Sequence, residues 1–274
     1  MTKGFFNDLC CLSQFFFLTS QPNCLFMKRI VFILVFVVAN VFTVFAQNVQ
    51  FHYDLGRTLS DRLENRPAFT TTVENFKPDK WGSTFLFVDL DYYHDGVGGA
   101  YWEIAREFNV TPNKRWAAHI EYNGGMASSK ITDMTTRFQH AVLAGPAWNW
   151  ASKDFSRTLS LQAMYKYYFK GKNPWNKPYS GFQATAVWGV QFANRLLSFS
   201  GFIDCWYDPS VSGKWITISE PQLWFNINAL KGCEDINLSL GTEVEISNNF
   251  VFDNKGNNNH FYAIPTLAAK WTFK

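Results

Sequence analysis

Acidic and aromatic residues spaced an even number of positions apart are the groups in this chain best placed to do chemistry. Asp89 and Asp91, Glu103 and Glu107, His119 and Glu121, and Glu243 and Glu245 all recur in this way. Phe87, Tyr93, Tyr101, Tyr168, Trp206 and Trp224 keep the same parity within their own segments, and Lys166 and Lys170 add the opposite sign. On an extended backbone, residues two apart share one face. Carboxyl groups beside flat rings can hydrogen-bond and stack a sugar or a nucleobase. Each charge taken singly is explained as well by pairing across an interior and bracing its wall. As a set they suit a selective constriction, because rings of side-chain charge set pore selectivity.

Other chemistries find less support. A lipid-cleaving barrel needs a His and a Ser close together on one strand. His52, His94, His119, His140 and His260 have no serine two positions away. His119 and Glu121 share a face without a nucleophile nearby. His94-Asp95 sits among glycines and is a weak metal signal. There is no glycine loop to cradle phosphate and no basic stripe for nucleic acid. The reading is therefore a non-enzyme with no cofactor and no metal.

The elements that position these groups are strands. In Leu159–Lys170, one face carries Leu159, Leu161, Ala163, Tyr165, Tyr167 and Phe169, and the other Ser160, Gln162, Met164, Lys166, Tyr168 and Lys170. Twelve such segments are expected near 48–57, 68–77, 81–93, 100–110, 116–125, 136–149, 156–170, 180–193, 196–208, 214–228, 235–248 and 260–273. Their connections alternate between compact turns such as Lys77-Pro78-Asp79-Lys80 and Asn194-Arg195, and mostly longer stretches such as Thr58–Pro67, Gly171–Tyr179 and Asn249–Asn259. A secreted soluble barrel or sandwich would also alternate. Soluble strands, however, average about 5–6 residues, and transmembrane strands need about 9–11. The second face here is polar rather than core-like. The fold expected is all-β: a twelve-stranded antiparallel transmembrane β-barrel with both termini in the periplasm.

Met27-Lys28-Arg29 followed by the apolar run Ile30–Phe45 and by Val44-Phe45-Ala46 has the form of a secretory signal peptide. The expected division is an upstream, non-native extension over 1–26, a signal over 27–46 and the barrel over 47–274. The composition is 18% aromatic and 17% charged, which suits strands with interfacial aromatic girdles. Cys205 and Cys233 are expected at opposite ends of the barrel. A disulfide needs Cα atoms within about 7 Å, so both are expected as free thiols.

Several segments together resemble the nucleoside-specific channel-forming porins, the Tsx-like family. They are Thr71-Thr72-Val73-Glu74-Asn75-Phe76, Asp79-Lys80-Trp81, Phe85-Leu86-Phe87-Val88-Asp89, Trp102-Glu103-Ile104 and Phe108-Asn109-Val110. The family strand Glu-x-Glu-Pro-Arg-Phe corresponds here to Glu103-Ile104-Ala105-Arg106-Glu107-Phe108, without the proline. A Glu-Pro pair occurs later, at Glu220-Pro221. The resemblance implies a monomeric barrel in the outer membrane of a Gram-negative bacterium, surrounded by its lipid and passing nucleosides. Asp89 and Glu103 carry over as lumen groups. The candidate pore-lining set is Asp89, Asp91, Glu103, Glu107, His119, Glu121, Phe87, Tyr101, Trp224 and Lys166. The alternative expectation is a closed structural barrel whose loops Gly171–Tyr179 and Asn249–Asn259 bind a partner.

Overall fold

The computed structural model describes residues 47–273 apart from 94–95, 129–134, 172–176, 210, 212 and 257. The strands are β1 (Asn48–Asp54), β2 (Phe69–Pro78), β3 (Gly82–Tyr93), β4 (Gly96–Asn109), β5 (Trp116–Ser128), β6 (Thr135–Arg137), β7 (Ala141–Ala151), β8 (Arg157–Tyr168), β9 (Tyr179–Phe192), β10 (Leu197–Tyr207), β11 (Trp215–Ser219), β12 (Gln222–Asn226), β13 (Leu238–Asn248) and β14 (Phe261–Thr272). Each pairs antiparallel with its neighbours, β1 pairs with β14, and β10 pairs with β9 on one side and with β11 and β12 on the other. The sheet therefore closes on itself, and only the short β6 lies off the closed path among the described strands.

β11 and β12 are two halves of one stave, so the barrel has twelve. Against β10, Ile203 faces Ser219 and Ser200 faces Gln222, so the register runs unchanged across the gap. The interruption falls at Glu220-Pro221. Proline has no N–H to give to a ladder, and the pairing resumes one residue beyond it. β6 is a short addition that pairs with β5 in the β5–β7 connection. The stretch 214–228, expected as one strand, is one stave with this break, and it ends in a 3-10 turn at Ile227–Ala229. The first expected strand, 48–57, stops at Asp54 because a helical turn, Gly56–Leu59, takes over. The expected strand 136–149 forms instead as β7 from Ala141, with β6 at its start set apart; the other segments form within a few residues of their expected bounds. The signal and the extension, 1–46, lie outside the described residues, as do His94-Asp95 and most of the Gly171–Tyr179 connection.

Burial runs inside out. In β8 Met164, Lys166 and Tyr168 are buried while Leu161, Tyr165 and Tyr167 are exposed. In β1 Gln50, His52 and Asp54 are buried and Phe51 and Tyr53 are exposed. A water-soluble barrel would invert this pattern, whereas lipid-facing and lumen-facing residues alternate in a membrane barrel in the sense seen here. Exposed aromatics gather at both ends. Trp81, Trp116, Phe155 and Trp271 mark the end with the compact turns, and Tyr167, Phe169, Trp215 and Phe261 the end with the loops. Among the described residues, Cys205 within β10 and Cys233 in the β12–β13 connection are free.

The compact turns are fixed by side chains. Asp79 accepts hydrogen bonds from the Trp81 and Gly82 N–H groups at 2.8 and 2.9 Å, and from the Arg106 guanidinium at 2.7 and 3.0 Å. The Arg106 hydrogen bond, helped by the Trp81 N–H, holds the Asp79 carboxyl at about 2 against an ordinary 3.8. A carboxyl lowered in the folded state stabilises above its unfolded value, and that contribution is lost as pH falls through the folded one. Asp79→Ala is thus expected to unfold at lower urea than the wild type at pH 7. The difference should close as pH approaches 2. An equal gap at both pH values would show that the carboxyl charge plays no part.

Candidate functional site: the barrel lumen

The ladders put every candidate residue on the inner face. Asp89 pairs with Tyr101 and Phe87 with Glu103. Glu103 in turn faces Asn123, and Glu107 faces His119. Glu121 faces Leu143, and Leu143 faces Lys166. Asp91 follows Asp89 on β3, and Trp224 lies inward on β12. Lys170 lies two residues beyond the end of β8 and is exposed, so it is not among the buried inward groups that Lys166 joins. Parity alone cannot say where a strand stops.

These side chains form linked clusters. The His119 ring lies between two carboxyl groups, with Nδ1 3.2 Å from Glu107 Oε1 and Nε2 3.0 Å from Glu121 Oε2. Asn149 donates to the other oxygen of Glu107 at 2.7 Å. Nearer the loops, Tyr101 donates to Glu103 at 2.7 Å, and Asn123 Nδ2 donates to the Tyr101 oxygen at 2.9 Å. Thr72 donates to Asp89 at 2.5 Å and Thr70 to Asp91 at 2.7 Å. Phe87 stands edge-on to Tyr101 with ring centres 6.4 Å apart.

Further along the wall, on β8, Lys166 donates to Gln183 at 2.7 Å, and its ammonium lies 5.1 Å from the Tyr168 ring centre and 4.8 Å from that of Trp206. Tyr168, Trp206, Leu143, Met164, Ile216 and Ile218 form an apolar cluster inside the barrel. This side of the lumen is packed. The charged side runs along β1 to β5 and β12 to β14.

Trp224 is 0% exposed. Lys270 sits 4.1 Å above its ring, the His52 ring meets it edge-on, and its Nε1 donates to Gln222 at 2.9 Å. Gly241 makes room for the ring, because a Cβ there would lie 2.7 Å from Trp224 and 2.2 Å from the Leu223 carbonyl oxygen. Trp224 is therefore a packed wall element and has no free face on which a passing ring could stack. Phe87 and Tyr101 are half-buried and keep some open surface.

At the loop end, Arg66 of the β1–β2 connection reaches into the mouth. Its Nε donates to Asp54 at 2.7 Å and its Nη2 to Glu245 at 2.9 Å. Burial alone would lower the guanidinium, but Glu245 and Asp54 outweigh it and hold it above its ordinary value. Leu63 packs with Val251 and Ile264, and Asn254 bonds the Arg62 and Asp61 carbonyls. Two loops thus clasp over part of the opening. Arg66→Ala would leave two largely buried carboxyl groups without their cation. It is expected to cost about 1.5–3 kcal/mol, the range for losing hydrogen bonds to charged groups. Faster amide exchange over 55–68 than in the wild type would register the release. Unchanged protection there would show that the clasp holds without Arg66.

Lys270, Arg66, Asp204, Glu74 and Glu220 belong to this lumen but were absent from the candidate set. Lys270 and Asp204 had the parity signal, since each alternates with apolar neighbours on its strand. Arg66 had none, because a loop residue carries no parity. Among the described residues, Asp54, Glu74, Asp89, Asp91, Glu103, Glu107, Glu121, Asp204, Glu220, Glu243 and Glu245 face inward, against the cations Lys166, Lys270 and Arg66 and the two imidazoles of His52 and His119.

A closed antiparallel barrel of twelve staves, apolar outside and charged within, defines a protein of the transmembrane β-barrel class. The chain belongs to the family described as Domain of unknown function (DUF5020), whose model matches residues 46–273. No curated protein matches it by sequence. Among solved structures it is similar to the NanC porin, at 10% identity and a TM-score of 0.52, over 83% of this chain and 98% of that one. It is also similar to the KdgM porin, at 11% identity and a TM-score of 0.44, over 83% and 98% of the two chains. LpxR from Salmonella typhimurium matches at 8% identity and a TM-score of 0.45, over 82% and 99%. At these identities the NanC likeness is one of fold: a porin-type barrel.

Proposed function

We propose that this protein is an outer-membrane channel for small polar solutes, with nucleosides the leading permeant. The observation that carries this reading is the inside-out wall, in which exposed apolar side chains cover the outside while carboxyl, amide and hydroxyl groups line one continuous side of the lumen. In porins a polar barrel interior is a water-filled path. Nucleosides come from the Tsx-like resemblance, which runs through the β2–β4 segments that carry Asp89 and Glu103. Asp89, Glu103 and Glu121 would hydrogen-bond a ribose or base through the carboxylate lone pairs left beside their wall partners Thr72, Tyr101 and His119, with Phe87 and Tyr101 offering ring surface. In this reading residues 27–46 are the export signal, which fits a family match that begins at residue 46. Both ends of the barrel wall, Asn48 of β1 and its partner Thr272 of β14, face the periplasm in this reading, and the barrel works as a monomer.

The test is solute flux through the purified barrel in liposomes, comparing nucleosides with sugars and amino acids of similar size. Saturable nucleoside flux above the others is expected. Asp89→Ala with Glu103→Ala is expected to lower that preference several-fold in a barrel that still folds. Equal flux of all three classes would remove the nucleoside assignment.

A second reading draws on the packed side. Trp224, Leu143 and Met164 are fully buried within the lumen, as they would be in a closed structural barrel whose outer loops bind a partner. No flux of any solute from a folded barrel would favour that reading and direct attention to the clasped loops.

A further inference from the structure

Asn123 in β5 has an acceptor that nothing in the wall satisfies. The residue is 6% exposed, and its Oδ1 accepts no hydrogen bond from any described group. A buried acceptor left unmade is costly, on the order of 1–3 kcal/mol. The amide orientation is fixed by its neighbours. Tyr101 has one proton and gives it to Glu103 at 2.7 Å, so its oxygen can receive only a donor from Asn123. The same Nδ2 lies 3.5 Å from Glu103 Oε1. Rotating the amide would set Oδ1 against two acceptors.

The surroundings say what donor would suit. Glu103 faces Asn123 across the ladder, and Glu121 is two residues away on the same face. Glu103 also lies within electrostatic reach of Glu121 and Asp204. The neighbouring cation, Lys166, already donates to Gln183 and lies over two rings. Among the described residues no group of three or more His, Cys, Asp or Glu side chains is arranged to hold a metal ion. One amide oxygen and spread carboxyl groups instead match an ammonium, which has three protons to give in different directions. Aromatic surface beside them adds attraction for a cation.

We infer that Asn123 Oδ1 and Glu103, with Glu121 behind them, form a lumen site for the protonated amine of a small organic solute. The inference deepens the channel reading and rests on it only for how the solute arrives. Putrescine is the probe, with 1,4-butanediol and succinate as neutral and anionic counterparts of similar length. Binding to the detergent-folded barrel is measured by titration calorimetry. Saturable binding of putrescine but of neither counterpart is expected. Glu103→Gln and Asn123→Leu, each checked for folding by heat-modifiable migration, are expected to weaken it at least tenfold, and Asp154→Asn in a distant turn to leave it unchanged. If neither variant folds, the wild-type contrast between the diamine and the diol decides. Absence of saturable putrescine binding, binding equal to that of the diol, or affinities within twofold of wild type in both folded variants would overturn the inference. Putrescine binding without flux of any solute would keep this site and remove the channel. Solute flux without putrescine binding would do the reverse.

Discussion

Ile104→Arg should cost about 2–4 kcal/mol of folding free energy in lipid vesicles, because it places a guanidinium against hydrocarbon near mid-membrane. Ile104 lies well within β4, points away from Glu103 and Ala105, and is 50% exposed. Val110→Arg, just past the end of the same strand, should cost only about 0–1 kcal/mol, since its side chain reaches the interface. Both side chains are exposed in the barrel. On a protein surrounded by water, two exposed substitutions would each change stability by less than about 0.5 kcal/mol. The contrast between the two positions therefore tests the membrane reading rather than general tolerance. Urea titrations of vesicle-folded protein supply the numbers. Small and equal losses at both positions would contradict a lipid-facing β4.

Trp224→Ala is expected to cost about 3–5 kcal/mol, the usual range for emptying a buried aromatic site. It removes the ring beneath Lys270, the edge contact with His52 and the hydrogen bond to Gln222. It also frees Lys270 to turn toward the inward carboxyl groups. If the ring narrows a water-filled path, the variant should conduct more than the wild type in planar bilayers, by about twofold or more. Lost stability with unchanged conductance would place Trp224 in packing alone, away from the path. The two readouts together separate a filled wall from a constriction.

Much of this architecture is legible in the residues. Period-two alternation survives in every stave because each face meets a different medium, lipid on one side and a polar interior on the other. For this reason Asp89, Glu103, His119, Lys166 and Trp224 could all be assigned to one face from parity. The turns were readable where a residue such as Asp79 caps them. What parity could not supply was depth and ending. Lys170 shares the parity of Lys166, yet it is exposed two residues past the end of β8 rather than buried in the wall. Trp224 looked like a stacking surface and is instead covered by Lys270 from β14, a contact between residues 46 positions apart. The break at Glu220-Pro221 is marked by its proline, but the unbroken register across it depends on β10 and β13. Arg66 was invisible for a different reason: a loop has no periodicity, and its two partners come from strands at opposite ends of the sequence.

The most direct test of the account is ion conductance of the purified wild-type barrel in a planar bilayer, after its folding and insertion have been shown by protease protection. The account predicts long-lived, discrete current steps of one size, as expected of a monomeric water-filled lumen. An inserted, protected barrel that passes no current at any voltage would contradict it and leave the clasped loops as the working surface.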